Sequence, residues 1–576
     1  VQNFGVDTLS NAIINWSING AAQPSYNLVL TGSNQLAVDQ TKSNIQIGAY
    51  NFTKPLNILK AWTESPNSFV DEVASNDTLR SVICSGLSGV YTVGTPNDSF
   101  PNIELAIDAL KNCGLVGPTS LVLSAGNYTK KIELNNIMGL SAANHLTIEG
   151  ASKTGSILTS DGLGTNNATI LVDSSSFITF KNMTIKNEGT NLGRGIMVRF
   201  NSNNITVDNC IIEATNPTAN TNLQVVGVFM GPSFTSNFTE GDNGDNLVVN
   251  NCTFIGTQYG VQIEHFLPDP GKYFSITDCN FIDNQDAAIN VDNVDSLIVK
   301  GNYMSSSITF NGLLASDVRN FEFTDNEFHS LNEPFNMSRG NDTLGFLGTF
   351  TNNMLSSLNQ EATSFFNVNS TQMFHNTFYG TEGINLNGAQ SVDMRNNIFI
   401  GKQGYAIRAA NASFVQFDYN LYYTSGPDLF FYNNVINTDL AALNITLPIY
   451  NFNSLVGDPQ ILGPTNLHIV YGTLANDNGD NSIGLAIDID GDARPAPLAT
   501  AVDIGADEYT LPPKDLGLVE LLSQQGPCYS DTDMVVLKIT NNGQGNLDFA
   551  ADSFLIHWNI SGPTPSIGSQ LIITDS

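Results

Sequence analysis

The feature that most constrains this chain is a short motif repeated about ten times along its middle. FITFKNMTI, NITVDNCII, NLVVNNCTF, YFSITDCNF, SLIVKGNYM, NFEFTDNEF and SVDMRNNIF align without gaps. One apolar column runs Phe180, Val207, Val249, Ile276, Val299, Phe323, Phe350, Met373, Met394 and Phe417, in steps of 27, 42, 27, 23, 24, 27, 23, 21 and 23 residues. Five residues on, a second column holds Ile185, Ile212, Phe254, Phe281, Met304, Phe328, Leu355, Phe378, Phe399 and Tyr422. Apolar side chains at every second residue indicate a strand with one buried face. The parity slips by one across a polar pair such as Asp325–Asn326, so the chain turns a corner there. A further strand recurs later in many units: GIMV at 195, GVQI at 260, AINV at 288 and GINL at 383. Short strands around a turn of about 24 residues predict an all-β fold, a right-handed parallel β-helix whose coils pair with one another.

The corner supplies its own column. Three residues after the first core position stand Met183, Cys210, Cys252 and Cys279, then Asn302, Asn326, Asn353, Asn376, Asn397 and Asn420. Stacked amides hydrogen-bond from coil to coil. The three cysteines are read as small buried side chains in the same column rather than as a redox or metal cluster, because only stacking explains the handover to Asn in register. The step of 42 residues carries an insertion around 222–245, either projecting from the coil as a contact surface or forming one extra coil.

Flanking segments divide the chain. PNIELAIDALKNCG reads as a capping helix, with Ser99 or Asn102 at its start, Ile103, Ala106, Ile107 and Leu110 on its apolar face, and Gly114 at its end. Cys84 and Cys113 flank this unit and are the pair that a disulfide would join in an oxidising compartment. This segment resembles the opening of many secreted parallel β-helix proteins. LVGDPQI and DIDGDARPAPLATAVDIGADEYT resemble the closing segment of secreted bacterial ones. Asp488, Asp490 and Asp492 alternate like the first ligands of a calcium loop, which makes calcium the one cofactor expectation. However, Ala493 and Ala499 stand where such a loop needs Gly and Glu. The other reading is an acidic capping loop held by hydrogen bonds and Arg494. The expected divisions are 1–83, 84–150, 151–455, 456–513 and 514–576.

The two ends match each other. Asn3, Gly5 and Leu9 align with Asn541, Gly543 and Leu547; after a four-residue insertion, Trp16, Ile18 and Gly20 align with Trp558, Ile560 and Gly562. Alternating apolar strands in both suggest parts of a small β-sandwich. The expectation is one repeat of a longer array, cut out of phase. The patterns NGxxQxxY, GAYNF and KAWTxSPN resemble Ig-like adhesion modules of large surface proteins of gliding bacteria, exported by the type IX system. That resemblance implies an extracellular, cell-surface structural or adhesive repeat. It would act as a stiff, filament-forming spacer partnered by other copies of itself, by surface glycans or by other cells.

Charge fits that setting. With 22 Lys+Arg against 54 Asp+Glu the net charge is −32, which disfavours nucleic-acid and anionic-membrane partners, and no apolar stretch is long enough for membrane insertion. The alternative function is a polysaccharide-binding or polysaccharide-degrading β-helix, a lyase or hydrolase. The His residues show no metal-ligand spacing, and no catalytic residue is assigned. The best constellation, Glu264–His265 with Arg194 and Arg199 one coil earlier, reads as solvated residues on a coil exterior. Tyr259, Tyr273 and Tyr405 are candidate exposed rings for sugar stacking.

Overall fold

The structure is a computed structural model. It describes residues 1–52, 56–71, 73, 75–84, 86–164, 166–189, 192–214, 225–266, 269–305, 311–341, 346–448, 450–497, 499–512, 514–522, 536–543, 545–548, 554–561 and 566–572. Cys528 and Gly562 lie outside the described residues, as does part of the insertion.

The repeat folds as a parallel β-helix with three strands per coil. The first apolar column lies on the first face: Phe180 pairs with Val207, Val207 with Val249, Val249 with Ile276, and so on to Met394 with Phe417. The second column lies on the second face, a thirteen-stranded sheet in which Ile185 pairs with Ile212 and Phe399 with Tyr422. The third face carries strands such as Arg194–Arg199, Tyr259–Glu264 and Phe335–Ser338. In two coils the chain runs from the third face into the next first-face strand without a break, as Ala287–Lys300 and Asn311–Thr324. Inward side chains from all three faces form one continuous core, with stacked rings at Phe254–Phe281, Phe378–Phe399 and Phe399–Tyr422.

The corner between first and second faces explains the slip in parity. The residue before each ladder position takes a left-handed conformation: Asn182, Asn209, Asn251, Asp278, Gly301, Asp325, Asn352, His375, Asn396 and Tyr419 all have φ between 49° and 66°. Asn, Asp and Gly tolerate that region best, hence the recurrent polar pair. Behind them the ladder residues are buried in single file. Each amide from Asn302 to Asn397 donates its Nδ2 to the Oδ1 of the Asn in the next coil at 2.9–3.1 Å. Each also donates to a backbone carbonyl. The same Oδ1 accepts the backbone N–H of the preceding ladder residue. Cys210, Cys252 and Cys279 continue the file as buried thiols.

The helix Ile103–Cys113 covers the first coil, capped by Asn102, whose side chain accepts the Leu105 N–H at 2.9 Å. Cys84 and Cys113 form a disulfide that ties this helix to the strand Thr78–Cys84. At the far end a helix that sequence reading passed over, Leu440–Thr446, buries Leu443 and Leu447 against the core. The segment 456–512 does not close the stack; it lies along the outside of the second face. Ile469, Ala475 and Ile504 pack there on Ile398, Ile400 and Leu421. Gly505 N donates to Asn396 O, Ala506 N to Thr377 Oγ1, and Arg395 pairs with Asp480.

Beyond the helix, Asn11–Ile18, Leu56–Glu64 and Thr78–Cys84 form an antiparallel sheet. Leu516–Leu521 pairs with Leu537–Asn541, and Phe554–Ile560 with Ser566–Ile572. The aligned Asn residues make the same turn at both ends. Asn3 Oδ1 accepts Gly5 N and its Nδ2 donates to Asp7 O; Asn541 does the same with Gly543 N and Gly545 O. Among the described residues no helix is long and apolar enough to cross a membrane.

Candidate functional site

The third face carries an arrangement that the aligned columns did not include. Two residues before its strand, successive coils place Glu333, Glu361 and Glu382 in register. Phe335 pairs with Thr363, and Ala362 N donates to Glu382 O at 3.1 Å. Adjacent strands lie about 4.8 Å apart, so three like charges stacked at this spacing destabilise the coil unless they are neutralised.

Each carboxyl meets this differently. Glu382 is paired with Arg408 of the next coil through both carboxylate oxygens at 2.6–3.0 Å. Among the described residues no Lys or Arg makes an ion pair with Glu333 or Glu361, which are held against each other. Ser364 Oγ lies 2.7 Å from Glu333 Oε1 and 3.2 Å from Glu361 Oε1. Asn336 donates to the second oxygen of Glu333, and Asn385 donates to Glu361 at 3.3 Å. Burial, with the charge of Glu361 behind it, pushes the Glu333 carboxyl up to about 7. Burial acts the same way on Glu361, but hydrogen bonds from its own backbone N–H, Asn385, Glu333 and Ser364 outweigh it and hold that group below the ordinary carboxylate range. The two carboxyls are thus pushed apart, Glu333 towards its neutral form and Glu361 towards its charged form. A neutral acid beside a charged carboxylate is the equipment of general acid–base chemistry. Next to the pair, the Arg408 guanidinium lies over the neighbouring rings of Tyr405 and Phe431, 5.0 and 5.1 Å from their centroids.

Sequence reasoning missed these residues, although the signal was present. SLNEPFNM, NQEATSFF and GTEGINL place Glu two residues before the third-face strand in three consecutive units. Variable loop lengths before that strand hid the register.

Further up the same face, Arg194 and Glu264–His265 are not solvated as expected. In the described part of the insertion, Val226–Met230 is an ordinary coil strand, and the residues after it fold over the exterior. Arg194 is fully buried, 4.5 Å from the Phe229 ring centroid and 2.5 Å from Asn237 Oδ1. Arg199 pairs with Asp173 and stacks on Phe234. Glu264 is buried beside Gln262, which donates to it at 2.8 Å; burial, reinforced by Asp292 and Glu240, pushes its carboxyl up to about 7. Tyr259 is buried under Phe238, Tyr405 is half-buried and Tyr273 is exposed.

The three aspartates of the expected calcium loop do not converge. Asp488 spends its carboxylate on the backbone: Oδ1 accepts the N–H groups of Asp490 and Asp492, and Oδ2 that of Glu508. Arg494 forms a fully buried pair with Glu508 at 3.0 Å. Among the described residues, the potential ligand atoms that converge in a group of three within 4.8 Å are those of His468, Asp490 and Asp507.

Coil, ladder and face define a right-handed parallel β-helix protein. The profile of the family described as "Right handed beta helix region" matches residues 121–328 and again 269–437, together more than half of the chain, and the chain belongs to that family. None of the curated proteins matches this sequence. Among solved structures it is similar to the pectate lyase Pel9A, at 11% identity over 74% of this chain and 98% of that one, with a TM-score of 0.38. It is also similar to a mannuronic acid specific polysaccharide family 6 lyase from human gut microbiota, at 11% identity, 64% and 87% coverage and a TM-score of 0.37. A third is the mannuronan C-5 epimerase AlgE6 A-module of Azotobacter vinelandii, at 11% identity, 62% and 93% coverage and a TM-score of 0.31. Likeness at this level is one of coil architecture. The expectation of an adhesive spacer is withdrawn: none of these comparisons supports it, and the likeness they carry is of coil architecture alone.

Proposed function

We propose that this β-helix is a polysaccharide hydrolase, with Glu333 and Glu361 as its carboxyl pair. The observation that carries the reading is the pair itself: two carboxyls in successive coils of an exterior face, both within hydrogen-bond reach of Ser364 Oγ, with Glu333 pushed up to about 7 and Glu361 held low. Glu333 gives its proton to the glycosidic oxygen as that bond breaks, and Glu361, in contact with it, takes a proton from the water that attacks the sugar carbon. The rings of Tyr405 and Phe431 offer a stacking surface beside the pair.

Local charge favours a neutral glycan. Arg408, which adjoins the pair, is already held by Glu382, and a polyuronate chain would meet repulsion from Glu361 and from the strongly acidic surface. The Cys84–Cys113 disulfide supports an oxidising, extracellular setting. The repeated Asn–Gly turn at the two ends supports reading the flanks as related sandwich modules of Ig-like type.

The test is incubation of the full chain with a panel of neutral and acidic polysaccharides, reading both new reducing ends and unsaturated ends. Reducing ends from a neutral glycan alone are expected. Unsaturated ends from a polyuronate, or binding without any cleavage, would refute the hydrolase reading.

A further inference from the structure

A second centre lies on the other side of the coil, where segment 456–512 rests on the second face. His468 Nε2 is 2.8 Å from Asp490 Oδ2, and Asp507 completes a group of three whose ligand atoms lie within 4.8 Å of one another. The three side chains come from three separate pieces of the segment: the strand Asn466–Ile469, the loop after Asp488, and the turn before Tyr509. An imidazole at its centre sets this group apart from the many surface carboxylates of so acidic a chain.

The surroundings orient each of the three towards the same point. His468 Nδ1 donates to Asn466 Oδ1 at 2.5 Å, which leaves Nε2 facing the carboxylates, its proton shared with Asp490 and exchangeable for a metal ion. Metal-binding histidines are held in this manner, the second ring nitrogen donating to an oxygen outside the coordination sphere. Asp507 is nearly buried, and its Oδ2 accepts the Ile469 N–H at 2.7 Å, so its other oxygen remains for a ligand. Asp490 is presented by the loop whose backbone Asp488 captures, and Asp488 also holds the N–H of Glu508, the neighbour of Asp507. Asp488 therefore acts as a scaffold for the other two acids, which accounts for its complete saturation by backbone donors. From the coil beneath, Glu327 adds a further negative charge to the field at His468; its own carboxylate is held by His329, which in turn meets Ser356.

We propose that His468, Asp490 and Asp507 form a zinc site. One imidazole nitrogen and two carboxylate oxygens are a zinc donor set, with water in the fourth position, whereas calcium takes an all-oxygen shell of six to eight ligands. Closure needs modest movement, since ligands of a tetrahedral zinc centre lie about 3.3 Å apart. The ion takes the place of the proton between His468 and Asp490 and joins three pieces of chain that otherwise meet through hydrogen bonds and the packing of Leu467, Ile489 and Ala506. Its role is to fix segment 456–512 on the second face, on the opposite side from Glu333 and Glu361. The inference does not depend on the glycan reading.

The experiment is calorimetric titration of the EDTA-treated full chain with zinc chloride, followed by thermal melting with and without the ion. One zinc ion per chain is expected, with a melting temperature higher in zinc than in EDTA. His468→Ala and Asp507→Asn should each weaken binding at least tenfold, and Asn466→Ala by about tenfold, the range seen when an outer partner is removed. Asp490→Asn, at a half-exposed position, should lose the zinc-dependent rise in melting temperature while keeping the wild-type circular dichroism spectrum. A wild-type chain that takes up no zinc would overturn the proposal and leave His468–Asp490 as an ion pair only. Zinc binding unchanged in all four variants would overturn it as well, as would calcium displacing zinc with equal affinity.

Discussion

Asn353 donates its amide to the Oδ1 of Asn376 one coil on at 2.9 Å, while its own Oδ1 accepts both the backbone N–H and the side-chain amide of Asn326 one coil back. Asn353 also donates to Phe323 O. Its side chain therefore satisfies groups in two neighbouring coils, all beyond the reach of water. Asn353→Leu keeps the volume but orphans the Asn326 N–H and the Phe323 carbonyl. At roughly 1–3 kcal/mol for each buried unsatisfied group, a loss of about 3 kcal/mol or more is expected. Urea unfolding of the variant checks it; a change below about 1 kcal/mol would mean the ladder is ornamental.

The pair on the third face makes stability depend on pH. Glu333 has a raised folded-state pKa of about 7, against an ordinary value of 4.5. Its contribution is complete below pH 4.5 and is lost as pH rises through 7. Wild-type protein should lose of order 1–3 kcal/mol between those limits through this group. Glu333→Gln, which never ionises, should lose correspondingly less. Parallel unfolding curves for the two proteins across that window would contradict the raised pKa of Glu333.

The folded insertion rests on Arg194, buried between Phe229 and Asn237. Arg194→Met removes the hydrogen bonds while keeping much of the bulk. The coil strands should remain, since Ile196 and Val198 supply the core there, but residues 231–246 should become open to protease. Limited proteolysis with mass mapping gives the answer: new cuts in that stretch are expected, and a digestion pattern like that of the wild type would show that Arg194 does not hold it.

The cap is tethered covalently. A cross-link across the 29 residues between Cys84 and Cys113 lowers unfolded-chain entropy enough to stabilise by about 3.5 kcal/mol at most. Cys84→Ser with Cys113→Ser should therefore melt lower than the oxidised parent and at the same temperature as the reduced parent. Equal melting of all three would show that the bridge contributes nothing to the fold.

Much of this architecture was legible in the chain because coil geometry writes itself at fixed offsets. Phe180 to Phe417 pair in the order their spacing implied, and the left-handed conformation at the corner favours the Asn, Asp or Gly that precedes the ladder in eight of the ten coils, His375 and Tyr419 standing in the other two. Long-range relations were harder to read. Glu333, Glu361 and Glu382 follow a stretch of variable length, so no fixed offset from the first column finds them. Arg194 and Glu264 looked solvated because what covers them comes from an insertion with no repeat pattern. The alternation of Asp488, Asp490 and Asp492 suggested a calcium loop, yet a carboxylate beside free backbone N–H groups satisfies them first, and Asp488 does so. The helix Leu440–Thr446 did carry a signal, Asp439 as its cap and Leu443 and Leu447 on one face, but its seven residues were overshadowed by the closing motif downstream.

The central claim is that Glu333 and Glu361 act together on a glycosidic bond. Its most direct test is the initial rate of reducing-end release from the preferred neutral polysaccharide by wild type, Glu333→Gln and Glu361→Gln across pH 4 to 9. Wild type should give a bell whose alkaline limb falls near pH 7, where Glu333 loses its proton, and each variant should lose at least a hundredfold in rate. Either variant cleaving at the wild-type rate would contradict the account.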